Sequence, residues 1–147
     1  MTPKKGLLYA LIAYVIFVFV QSLFFKFTGS EETDIIFSTI AQWMNNVGLS
    51  FIAPIFDSVG GLVIGSTELI ASILLLFAGT RKFGAVLGLS VISGAIFFHL
   101  FTPLGINRVV DAAGNTDGGI LFFMACGVWV SCALIYMMAR TEGPRPE

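Results

Sequence analysis

Four apolar runs, each about twenty residues long, constrain this chain more than any other feature, and they lie at residues 6–27, 58–79, 84–102 and 119–139. At ~1.5 Å per residue, a helix of that length crosses a hydrocarbon layer ~30 Å thick. The runs therefore predict four membrane spans. Composition points the same way: 56% of the 147 residues are hydrophobic and only 12% are charged, and the mean hydropathy is +0.92. Fifteen Phe residues exceed the needs of a core this small, whereas a lipid-facing surface sets no upper limit on apolar side chains. With a net charge of −1 and no basic block longer than a residue pair, the electrostatic footprint of a nucleic-acid binder is missing, and that class is excluded.

The first run follows Lys4 and Lys5. It is longer than the ~7–15 apolar residues of a signal peptide and has no small-x-small cleavage pattern after it, so a retained anchor is expected. Thr80, Arg81, Lys82 and Gly84 form a tight hairpin between the second and third runs, and Pro103 and Gly105 stop the third. Pro54 and Asp57 mark the turn into the second. A polar segment with Asn107, Arg108, Asp111, Asn115 and Asp117 leads to the fourth. Its acidic spacing departs from the calcium-loop pattern, and no metal is expected there. If the spans alternate, Lys4, Lys5, Arg81, Lys82, Arg140 and Arg145 share one side and Arg108 alone lies opposite. Both termini are then cytoplasmic, and the far face, with Glu31, Glu32, Asp57 and Asp117, is acidic.

Residues 35–49 are too short and too polar to span. Ile36, Ile40, Trp43 and Val47 fall on one helical face and Gln42, Asn45 and Asn46 mainly on the other. This pattern predicts an amphipathic helix in the outer headgroup region, with Trp43 as its membrane-interface anchor. The expected fold is all-α: residues 1–147 form a single membrane domain, an integral-membrane antiparallel four-helix bundle with a short amphipathic interfacial helix between spans 1 and 2.

Helices in lipid join through small residues. Gly61, Gly65, Glu68 and Ser72 form one stripe, Gly84, Gly88, Ala95 and His99 another, and the two are expected to face each other. Gly127 and Ser131 offer similar positions on the fourth span. Cys126 and Cys132 are about 120° apart around a helix turning ~100° per residue, so they read as packed apolar residues and not as a redox pair.

Glu68 falls near the bilayer midplane, where an acidic side chain costs about 2.5–3.5 kcal/mol on insertion scales; such a residue needs a partner and often has a task. His99 and Lys26 lie at heights differing from it by roughly 9 Å and then 6 Å at helical rise. Glu68 and His99 are candidates for a proton relay, and Lys26, with Gln21 and Ser22, for ligand binding. The alternatives are interhelical glue for Glu68, Gln21 and Ser22 and snorkelling for Lys26. A lone histidine forms neither a bis-histidine haem site nor a metal cluster.

Three stretches carry a family resemblance: Phe24-Phe25-Lys26-Phe27-Thr28-Gly29, Thr67-Glu68-Leu69, and Phe97-Phe98-His99, with the Arg81-Lys82 hairpin between the last two. Over roughly residues 6–103 the chain resembles the DoxX-like family of four-helix membrane proteins. The resemblance implies a compact bundle similar in plan to quinone-linked membrane oxidoreductases. Some relatives look like subunits of sulfur-compound:quinone oxidoreductases or redox complexes, and others like chaperones or trafficking factors. The related vitamin K epoxide reductases rely on a CxxC pair that this chain lacks, so thiol chemistry is not carried over.

The leading expectation is a subunit associated with an oxidoreductase or respiratory-type complex, in the bacterial inner membrane, with no intrinsic cofactor and a quinone bound in the outer half of the bundle. There Lys26 and His99 hold carbonyl oxygens and Glu68 relays a proton. Its partners are the lipid bilayer and a membrane-protein or redox complex. Two other classes compete. One is a non-catalytic structural or assembly subunit; the other, weaker for want of an internal repeat, is a proton-coupled small-solute transporter.

Overall fold

The computed structural model describes residues 2–141. Five helices follow one another: α1 Pro3–Phe27, α2 Glu31–Asn46, α3 Ala53–Leu76, α4 Arg81–Phe101 and α5 Ile120–Thr141. All but α2 are long and apolar enough to cross a membrane. Among the described residues no strand forms; Val109 and Thr116 make an isolated antiparallel bridge.

Local chemistry sets the helix ends. Gly29 and Gly48 adopt φ of +61° and +86°, and the amide after each reaches back to close a helix, Ser30 N to Phe25 O at 3.2 Å and Leu49 N to Met44 O at 2.8 Å. These are glycine C-terminal caps, in a conformation that a side chain would disfavour. The Ser30 hydroxyl accepts the Thr33 amide at 3.2 Å, and Glu31, Glu32 and Asp34 follow in the first turn, where acidic groups complement the helix dipole. So α2 covers 31–46, not the expected 35–49: the cap starts it earlier and Gly48 stops it. Helix α3 likewise begins at Ala53, not 58, because a proline fits the first turn of a helix, where its missing N–H is no loss.

The interior is built on Val15, Phe19, Leu75, Val128, Cys132 and Ile135, all essentially inaccessible. Yet only 28% to 33% of the most apolar stretch of each span is buried inside the protein. The outward surface, with Phe17, Phe24, Phe77, Phe83 and Phe123 all more than half exposed, is far larger than a water-facing protein tolerates and suits lipid. Four such helices make this an integral membrane protein by length and composition.

The small-residue stripes do not face each other along their lengths. A Cβ on Gly84 would lie 2.8 Å from Leu75 N and 2.9 Å from Ala71 O, so α4 does approach the α3 backbone there. Gly88 instead meets Cys132 Sγ of α5, Gly65 meets Leu23 and Phe27 of α1, and Gly60 and Gly61 receive Phe37 of α2. Gly127 receives Tyr14 of α1. Helices α3 and α4 therefore each turn their glycines to more than one neighbour. Cys126 and Cys132 are unbonded.

Seating Phe37 on Gly60 and Gly61 also rotates α2. Its buried face is Phe37, Ile40, Ala41 and Met44, whereas Val47, expected on that face, is half exposed. Trp43, read as a lipid anchor, packs edge-on against Phe97 and Phe98 of α4 at ring distances of 6.2 Å and 6.3 Å.

Three contacts define one end of the bundle. Lys4 Nζ donates to Thr141 Oγ1 at 3.2 Å, and the Arg81 guanidinium lies 5.8 Å from the Tyr9 ring while its Nε donates to Leu75 O. Residues 142–147, including Arg145, lie outside the described residues. Lys26, Glu68 and Arg108 gather elsewhere, around the cavity described next.

Candidate functional site

Gly65 lets α1 come close to α3, with Lys26 Cδ only 3.4 Å from where a Cβ would stand. One turn further along α3, Glu68 meets the Lys26 ammonium: Nζ lies 2.8 Å from Oε1 and 2.7 Å from Oε2. Lys26 also donates to the Ser22 hydroxyl, one turn earlier on its own helix, and Ser22 Oγ donates to Glu68 Oε2 at 3.3 Å. The two charged side chains are 14% and 6% exposed, so they are held almost without water and each is the other's compensation. All three Lys26 donors are occupied. The hydrogen bond gives a proton a direct path between ammonium and carboxylate, and its transfer would turn an ion pair into a neutral pair.

This triad forms part of the wall of a cavity of about 460 Å³ whose other walls are mostly apolar, with Phe25, Phe37, Phe56 and Phe98 among them. His99 lines the same cavity but is not bonded to the triad. Its Nδ1 is 2.7 Å from Gly105 O. A carbonyl only accepts, so Nδ1 carries the hydrogen of that bond. The ring stands edge-to-face on Phe122 at 5.7 Å. Of the residues expected to converge, Lys26, Ser22 and Glu68 are bonded together, and His99 shares their cavity. Gln21 also borders it but has no hydrogen bond among the described residues.

Sequence reasoning missed Arg108, which it counted only as the basic residue on the far side. The side chain is 2% exposed and lines the cavity. Its Nη2 donates to Glu32 of α2, and Nε stands 3.3 Å from Asp117 Oδ2 without the alignment of a hydrogen bond. Nη1 is buried with no partner. Asp117 in turn caps α5, accepting Gly119 N at 2.9 Å and Leu121 N at 3.3 Å, and Glu31 accepts Ala112 N at 2.7 Å. The segment between α4 and α5 is thus tied to α2 over the cavity. The signal was present as the pairing of one arginine with acidic neighbours in a polar segment, but nothing in the spacing said that the segment folds inward.

No family model matches the chain, and neither curated proteins nor solved structures match it.

Proposed function

We propose that this chain is a DoxX-like membrane subunit that binds a quinone-class molecule in its cavity and serves an oxidoreductase or respiratory-type complex of a bacterial inner membrane. The observation that carries the reading is a buried, hydrogen-bonded Lys26–Glu68 ion pair in the wall of a mostly apolar cavity. In this reading the bundle is antiparallel with both termini cytoplasmic, α2 lies along the outer headgroup layer, and the cavity opens in the outer half of the membrane.

The residues present fit such a ligand. A volume of about 460 Å³ falls in the ~300–1,000 Å³ range of small-molecule sites, which are mostly apolar with a few placed polar groups. Arg108 Nη1 is a buried donor without an acceptor, and a ligand oxygen would complete it. A quinone supplies two-electron, two-proton chemistry when bound, with the electrons coming from a redox subunit of the partner complex. Glu68 and Lys26 hold and pass the proton, Arg108 orients an oxygen through Nη1, His99 is a proton-accepting site, and the phenylalanines exclude water.

The test is the quinone-linked activity of the complex that co-purifies with the chain in mild detergent. Glu68→Gln should lower that activity by about 10²-fold or more with the complex still assembled. Unchanged activity in Glu68→Gln and His99→Ala would refute the relay and favour a second reading, a non-catalytic structural or assembly subunit. That alternative draws on the many outward phenylalanines as contacts for another membrane protein.

A further inference from the structure

Among the buried charged and ring side chains of the cavity, two keep an unpaired atom: Arg108, whose Nη1 is a donor without an acceptor, and His99. Lys26 spends its hydrogens on Glu68 and Ser22, and Ser22 spends its one on Glu68. Arg108 directs Nη2 to Glu32 and Nε toward Asp117. The remaining polar atom of the histidine is Nε2. Because Nδ1 carries the hydrogen bound to Gly105 O, the uncharged ring has Nε2 as a bare acceptor, and it has no hydrogen-bond partner among the described residues. His99 is only 4% exposed, but Nε2 is not sealed off as Arg108 Nη1 is, so it stays reachable from the cavity that the ring lines. A ligand whose head carries only carbonyl oxygens brings no hydrogen for this nitrogen. A head carrying a hydroxyl does, and its oxygen can still accept from a neighbouring donor such as Arg108.

We propose that His99 makes this cavity selective for a hydroxylic aromatic head, so that it binds the reduced, hydroquinone form of its ligand in preference to the quinone. The inference rests on the quinone-class reading above and adds to it which redox form the site holds. The hydroxyl donates to Nε2, the Gly105 carbonyl fixes the ring that accepts it, and Phe122 supports the ring from the side. Gly105 is therefore a positioning element, setting through its backbone which nitrogen faces the ligand.

The experiment uses the whole protein in lipid nanodiscs, labelled with ¹⁵N-histidine; the sequence has one histidine, so one ring is observed. Under anaerobic conditions it is titrated with a decyl-substituted hydroquinone, the matching quinone and the hydroquinone dimethyl ether. The expected result is about tenfold tighter binding of the hydroquinone than of either other compound, with Nε2 pyridine-type in the free protein and its resonance moved by the hydroquinone alone. His99→Phe should bring the hydroquinone to the affinity of its ether. Equal affinities for all the compounds, or a free-protein spectrum with the hydrogen on Nε2, would overturn the selectivity while leaving the quinone-class reading standing. Failure of all of them to bind would overturn both. The spectrum of the unsubstituted protein decides the tautomer even if His99→Phe does not fold.

Discussion

Lys26 and Glu68, 42 positions apart in the chain, meet at 2.7 Å between α1 and α3 with little access to water. Removing one partner strands the other charge in a low-dielectric interior, which costs about 3–5 kcal/mol, whereas removing both leaves nothing uncompensated. Lys26→Met and Glu68→Leu should therefore each destabilise strongly, and the double variant should be less destabilised than the sum of the two. A double-mutant cycle on unfolding in mixed micelles measures this, with a coupling of about 1 kcal/mol or more expected. Additive losses would mean that the pair is not formed.

Arg108 should hold the segment between α4 and α5 onto α2. Arg108→Gln leaves Glu32 and Asp117 without their shared cation, and the expected loss is about 1.5–3 kcal/mol, the range for hydrogen bonds to charged groups. Hydrogen exchange should quicken in residues 102–119 and the first turn of α5 before it quickens in α3. Uniform acceleration along the chain would contradict the assignment of Arg108 as a local tie.

Glycines at similar positions should respond in opposite ways. At Gly84 a methyl group meets α3 backbone atoms at 2.8 Å and 2.9 Å, which cannot yield as a side chain would, so Gly84→Ala should cost about 1–3 kcal/mol. At Gly94, on the same helix, a Cβ has nothing within 4 Å. Gly94→Ala should be neutral or stabilising by up to about 1 kcal/mol, from helix propensity alone. Thermal unfolding of both variants in one detergent gives the comparison.

Asp111 accepts the Asn115 side-chain amide at 2.7 Å and its backbone amide at 3.0 Å, and these bonds hold its carboxyl below the ordinary aspartate range. A group whose folded pKa is depressed contributes stability above its unfolded pKa, and that contribution is lost as pH falls through the folded value. Carboxyl NMR should show Asp111 titrating below a free aspartate, and Asn115→Ala should move it upward. The same titration midpoint in both proteins would exclude the Asn115 side chain as the cause.

The spans were legible because about twenty uninterrupted apolar residues have few other uses, and Glu68 and Lys26 stood out because lipid makes such residues costly. Helix ends were less legible. Gly29 and Gly48 act through left-handed backbone that residue order only hints at, and Pro54 reads equally well as a breaker or as a first-turn residue. The pairing of glycine stripes failed for a geometric reason: a helix in a bundle touches several neighbours, so Gly61, Gly65, Gly84 and Gly88 share a spacing without sharing a partner. Arg108 was hidden because its burial depends on where the segment folds, which its own neighbours do not specify. The tautomer of His99 depends on Gly105 O, a backbone atom to which sequence patterns are blind.

The occupancy of the cavity is the most direct test of the central claim. The protein is taken from its native membrane in mild detergent, alone and as Gly94→Leu, a change that puts bulk at the cavity wall where a Cβ meets open space, and the bound lipophiles are identified by mass spectrometry. The expected result is a quinone or hydroquinone in stoichiometric amount with the unsubstituted protein and little or none with Gly94→Leu. An unsubstituted protein carrying only phospholipid, or a variant that keeps its quinone in full, would contradict the claim.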